Sequence, residues 1–188
     1  MKIWNYYESE TNEKRGVLSK YFKEEPLSVA MHPFGIFLTV GFANGFKVFA
    51  ILTESLFSLK EVGLNNCRIV KYSNGGHFLL TNEKSNILIY DSIYYETISV
   101  LDGHTALIKD IAISENDSYI VSTCMNGYVF CWNIGESQSN ILKEPEHQET
   151  TIYNSIQYDI RQIKGDQKVE EIDLFVGCTN EKYVSPNY

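Results

Sequence analysis

The chain has 188 residues, 44% of them hydrophobic and 13% aromatic, with 24 Asp and Glu against 16 Lys and Arg for a formal net charge of −8. That length and apolar content are enough for one domain with a sizeable core, and they exclude an intrinsically disordered chain. The acidic balance repels phosphate backbones, so direct nucleic-acid binding is not expected. No apolar run reaches the roughly 18 residues of a membrane-spanning helix, and MKIWNYYESE lacks the apolar stretch of a secretory signal, so no membrane partner is expected. Cys67, Cys124, Cys131 and Cys178 are far apart with no CxxC pair, and they read as reduced cytosolic thiols. The lone basic pair Lys14-Arg15 reads as a solvated loop.

Taken in chain order, KIWN reads as the end of a strand, followed by the loop YYESETNEKRG and a strand in VLSKYF. From Leu27, LSVAMHPFGIFLTVGFANGFKVFAI holds a short strand, a turn at Pro33–Gly35, the strand FLTVG, a turn at Asn44-Gly45 and the strand FKVFAI. From Cys67, CRIVKYSNGGHFLLTNEKSNILIYD repeats the pattern, with turns at Asn74–Gly76 and Lys84–Asn86. From Ile108, IKDIAISENDSYIVSTCMNGYVFCWN repeats it again, with turns at Glu115–Asp117 and Asn126-Gly127. A fourth strand follows each copy, in SLFSLKEV, YETISVL and SNILK. Alternating β-branched and aromatic residues between Gly, Asn and Asp turns are the signature of half-buried antiparallel strands. After Asn140 the pattern resumes in YNSIQYDIRQI and IDLFVGCTNEKYV, separated by the charged hairpin KGDQKVEE.

Four strands recurring at about 40–45 residues mark the blades of a β-propeller. The third copy carries the two WD40 hallmarks, Gly103-His104 at its opening and Trp132-Asn133, in place of Trp-Asp, at its close. The expected fold is therefore all-β, a WD40 propeller with about three full blades plus parts of two more. Residues 1–26 form the end of one blade and a connecting strand; 27–66 and 67–102 are WD-like blades. Residues 103–143 are the blade with the GH and WN pairs, and 144–188 an incomplete blade with a charged insert. Trp4 echoes Trp132, so the chain is expected to begin inside a blade and to be part of a larger propeller protein. The alternative is a four-bladed ring in which KIWN completes the last blade across the termini.

By position, His104, Ser122, Asn126 and Trp132 match the His, Ser or Thr, Asp and Trp that share a buried hydrogen-bond chain within a WD40 blade. Asn126 brings no charge to the imidazole, which weakens such a chain. The other two copies lack the GH pair and are expected to rely on packing. His32 and His77 fall in or beside turns and read as solvent-exposed. The charged stretches around Glu144 and His147, and around Lys164, Asp166 and Lys168, are candidate partner-binding loops.

The segments CRIVKYSNGGHFLLT, NILIYDS and LDGHTALIKDIAISENDSYIVSTCMNGYVFCWNI together resemble the cilia- and flagella-associated WD-repeat proteins, over roughly residues 27–135. The resemblance implies a non-enzymatic adaptor of the ciliary axoneme, cytoplasmic and cytoskeletal, whose partners are the doublet microtubule and dynein-associated complexes. It would help to dock or regulate inner-arm dyneins. Family members follow their tandem propellers with a long coiled coil, and no heptad pattern occurs in these 188 residues. The competing reading is a different cytosolic WD40 scaffold, such as a ubiquitin-ligase substrate receptor or a trafficking-complex subunit. The sequence holds no GxSxG elbow, P-loop, HExxH or paired zinc-ligand spacing, so neither an enzyme nor a cofactor is expected.

Overall fold

A computed structural model describes residues 1–3, 18–53, 55–134, 139–143, 153–161 and 171–178, with side chains through residue 134. Its first strands, β1 (Lys2–Ile3) and β2 (Leu18–Ser19), pair antiparallel. Three four-stranded antiparallel meanders follow. The first contains β3 (Ser28–Met31), β4 (Phe37–Phe42), β5 (Gly45–Ile51) and β6 (Leu56–Gly63). The second contains β7 (Val70–Tyr72), β8 (Phe78–Glu83), β9 (Asn86–Asp91) and β10 (Thr97–Leu101). The third contains β11 (Ile108–Ile113), β12 (Tyr119–Cys124), β13 (Val129–Asn133) and β14 (Ser139–Lys143). A last antiparallel pair joins β15 (Tyr153–Arg161) to β16 (Glu171–Cys178). The architecture is that of a partial β-propeller, all-β among the described residues.

Local chemistry sets the repeat. The first turn of each four-stranded sheet passes through a left-handed residue, at Gly35 (φ 73°), Gly76 (φ 74°) and Asp117 (φ 57°), each 41 positions after the last. Gly76 has a second reason to lack a side chain, because a Cβ there would lie 2.7 Å from the His32 ring. The turn between second and third strands is two residues long in the first two sheets. It grows to four in the third, between Cys124 and Val129.

Side chains alternate across each strand, so one sheet presents apolar residues to both of its neighbours. In the second sheet, Leu79, Leu88 and Tyr90 face the first sheet and pack with Phe46 and Val48. Leu80, Ile87 and Ile89 face the other way and pack with Ile111, Ile120, Phe130 and Trp132 of the third sheet. A further cluster of Leu38, Val40, Phe42 and Phe49 packs with Ile3 of β1 and with Phe22. Burying a large apolar side chain in this way is worth about 1.5–3 kcal/mol, so these layers dominate the stability of the stack.

Polar clamps fix how successive sheets are set. Asp117 accepts the backbone N–H of Asn74 at 2.7 Å and that of Gly75 at 2.6 Å, tying the first turn of the third sheet to that of the second. The Asn74 amide returns the link by donating to Ser114 O at 2.9 Å. His32 makes the corresponding link from the first sheet, its Nε2–H donating to Gly76 O at 2.9 Å while Nδ1 accepts Phe34 N–H. His32 was expected in solvent but is 5% exposed, because the neighbouring turn supplies both a lid and an acceptor. His77 is exposed. Between the inner strands, Lys71 Nζ meets Asp110 Oδ1 at 2.8 Å and also the carbonyl of Ile111.

Asp117→Ala removes two charge-assisted bonds and puts a residue less tolerant of left-handed backbone than Asp at φ 57°, so unfolding stability should fall by about 2–4 kcal/mol in denaturant titrations. Asp117→Gly relieves only the backbone term and should recover about 1 kcal/mol of that loss.

Candidate functional site

The third sheet holds the one group of candidate residues that can be followed atom by atom. Ser122 lies on the central strand β12, opposite Phe130 of β13, and Ile120 pairs with Trp132. Residues two apart share a face, so Ser122, Phe130 and Trp132 all point toward the second sheet. Trp132 Nε1–H donates to Ser122 Oγ at 2.8 Å, and the same oxygen lies 2.6 Å from His104 Nε2. The imidazole stacks on Phe130 with centroids 4.3 Å apart and planes 9° from parallel. All three polar residues are buried. Gly103 is required beside them: a Cβ there would meet the Trp132 ring at 3.0 Å and the Phe130 ring at 3.1 Å.

Asn126 does not join this group. Its amide reaches Thr105 Oγ1 at 3.4 Å on the surface, and His104 Nδ1 is left buried with no hydrogen-bond partner among the described residues. The longer turn after Cys124 carries Asn126 outward into solvent. Burial holds the imidazole neutral by pushing its pKa down to about 4 from the ordinary 6.5. The thiols are equally withdrawn: Cys67, Cys124 and Cys131 are free and buried, and burial pushes Cys67 up to about 12. Glu144, His147, Lys164, Asp166 and Lys168, like Trp4, Lys14 and Arg15, lie outside the described residues.

Two features escape a reading keyed to Gly-His and Trp. Phe49 and Tyr90 occupy the register place of Trp132, paired with Leu38 and Leu79 as Trp132 is with Ile120. Each of the three faces the preceding sheet and is at most 4% exposed. The second sheet also has a polar staple of its own, contrary to the expectation of packing alone. Asn82 is fully buried; its Oδ1 accepts the N–H groups of Arg68 and Ile69, both at 2.9 Å, and its Nδ2 donates to Asn66 O at 3.1 Å. One side chain thereby pins the loop that enters β7. The signal for it was a polar Asn following the apolar run FLL in β8.

Chemically, the His104 group is a frame. His104 Nε2, Ser122 Oγ and Trp132 Nε1 are spent on one another, and the whole group, His104 Nδ1 included, is shielded from solvent. Among the described residues, no three His, Cys, Asp or Glu side chains gather closely enough to hold a metal ion. No described helix is long and apolar enough to cross a membrane.

Stacked four-stranded meanders and the His–Ser–Trp group define a WD40-repeat β-propeller segment. Residues 95–133 match the family described as WD domain, G-beta repeat. The chain is similar to Cilia- and flagella-associated protein 57 of Mus musculus, with 31% identity over 92% of this chain and 14% of that protein. It is also similar to Cilia- and flagella-associated protein 57 A of Tetrahymena thermophila, with 30% identity over 73% of this chain and 10% of that protein. The chain thus spans about a seventh or less of the length of these relatives. Among solved structures, the computationally designed Ika4 protein shares the fold, with a TM-score of 0.67 and 17% identity over 89% of this chain and 94% of that one.

Ser122→Ala strands both the Trp132 N–H and the imidazole, and should cost about 2–4 kcal/mol by chemical denaturation. The unfolded chain protonates His104 below about pH 6.5, whereas the folded chain resists until about pH 4. Stability from this group is therefore complete above pH 6.5 and declines as pH falls through that window. Unfolding titrations from pH 7 to pH 4 should show the decline, and His104→Phe, which can still stack on Phe130, should flatten that part of the profile.

Proposed function

We propose that this chain is a non-enzymatic scaffold segment of a ciliary or flagellar axonemal protein. It helps to dock or regulate inner-arm dyneins on doublet microtubules. The observation that carries the reading is the similarity to Cilia- and flagella-associated protein 57 across 92% of this chain. The buried His104–Ser122–Trp132 group supports it from the physical side, because those residues hold one sheet together and leave the turns at the sheet ends to meet partners. Propellers serve as platforms by virtue of such rigid, stacked frames.

The protein that contains this chain, tagged and expressed in a ciliated cell, should stay with axonemes after detergent removes the membrane and should resist a high-salt wash. Quantitative blotting of pellet and supernatant reads the outcome. Recovery in the detergent-soluble fraction would instead favour a cytosolic WD40 scaffold of another kind.

A further inference from the structure

In an antiparallel meander, the turn joining strands one and two and the turn joining strands three and four open at the same edge. At that edge, a cleft of about 600 Å³ lies between the first and second full sheets. Phe34 stands on the first turn of one sheet, and Ile93 and Tyr94 on the later turn of the next. Leu59 and Lys60 come from the outer strand β6, and His77 from the first turn of the second sheet. The apolar residues are presented rather than buried: Phe34 and Ile93 are each 74% exposed and Tyr94 is 69% exposed. Single exposed hydrophobics are ordinary, but several lining one cleft mark a place where something docks.

The walls of this cleft are pre-set. Gly76 O accepts from both His32 Nε2–H, at 2.9 Å, and Ser92 Oγ–H, at 2.5 Å, so the two sheets share one anchor in the cleft floor. Asp91 Oδ1 accepts the N–H groups of Ile93, at 2.5 Å, and Tyr94, at 3.1 Å, which fixes the turn that holds the exposed pair. A surface ordered before binding loses less entropy on binding than a mobile one.

Charge identifies the occupant. The chain carries a net charge of −8, yet no carboxylate among the described residues lines this cleft, and its cationic lining residue is Lys60. Lys60 has no ion-pair partner among the described residues; the Lys47 and Lys71 bridges lie elsewhere. We infer that the cleft is a docking groove for an extended acidic peptide that inserts bulky aliphatic or aromatic side chains between Phe34, Ile93 and Tyr94 and sets carboxylates against Lys60. This rests on the scaffold reading above and gives one partner segment a chemistry.

Three fluorescent peptides test it by anisotropy on the whole chain: Glu-Glu-Leu-Glu-Phe-Glu-Glu, its all-Lys counterpart, and its Leu→Ser, Phe→Ser counterpart. The acidic apolar peptide should bind at least about tenfold more tightly than either control. Lys60→Glu should reverse the preference between the acidic and basic peptides, and Phe34→Ser with Tyr94→Ser should abolish binding. All three positions are exposed, so the thermal unfolding midpoint should not move, and that measurement certifies the variants. Equal affinity for the three peptides, no binding at millimolar peptide, or acidic-peptide binding unchanged in the folded variants would overturn the inference. Axonemal pelleting of the variant proteins, scored separately, judges the scaffold reading: retention with no peptide binding would reject the groove alone.

Discussion

A four-stranded sheet that is apolar on both faces cannot stand alone in water, and that constraint governs this molecule. Strand alternation sends Leu79 and Tyr90 one way and Leu80 and Ile89 the other, so the second sheet needs a neighbour on each side. Each neighbour has the same need, which propagates the stack. Hydrophobic burial supplies the attraction but says little about how the sheets are turned relative to one another. That setting comes from short polar links, with Asp117 on the Asn74 and Gly75 amides and His32 on the Gly76 carbonyl.

Within the sheets, polarity is used sparingly and differently in each copy. The third sheet gathers His104, Ser122 and Trp132 around one hydroxyl oxygen. The second lacks that group and places Asn82 one residue beyond Thr81, where it fastens the incoming loop. The first has Val40 at the place of Ser122 and relies on its apolar cluster. A common requirement survives beneath these differences: a large flat side chain, Phe49, Tyr90 or Trp132, fills the same register position and meets the preceding sheet.

Much of this was legible in the sequence, for physical reasons. Alternating apolar residues and Gly, Asn or Asp turns locate strands because side-chain period and turn conformation are local properties. The grouping of His104, Ser122 and Trp132 could be anticipated from the resemblance to a WD40 blade, and strand register sets the Ser122 and Trp132 part of it. The burial of His32 could not, because it depends on a carbonyl 44 residues away in the next sheet. Asn126 was misplaced for a related reason: a turn two residues longer than its counterparts swings the amide away from the imidazole. Phe49 and Tyr90 were hidden only by their chemical difference from tryptophan, and comparing strand registers rather than residue identities would have found them.

The central claim is that neighbouring sheets are stabilised mainly through one another. Native-state hydrogen exchange in rising denaturant tests it most directly, by comparing backbone amides of β8 and β9 with those of β12 and β13. If the shared core from Leu80 to Trp132 couples the two sheets, these amides should open together, with one free energy and one denaturant dependence. Separate opening of β12 and β13, at a clearly lower free energy while β8 and β9 stay protected, would contradict the account.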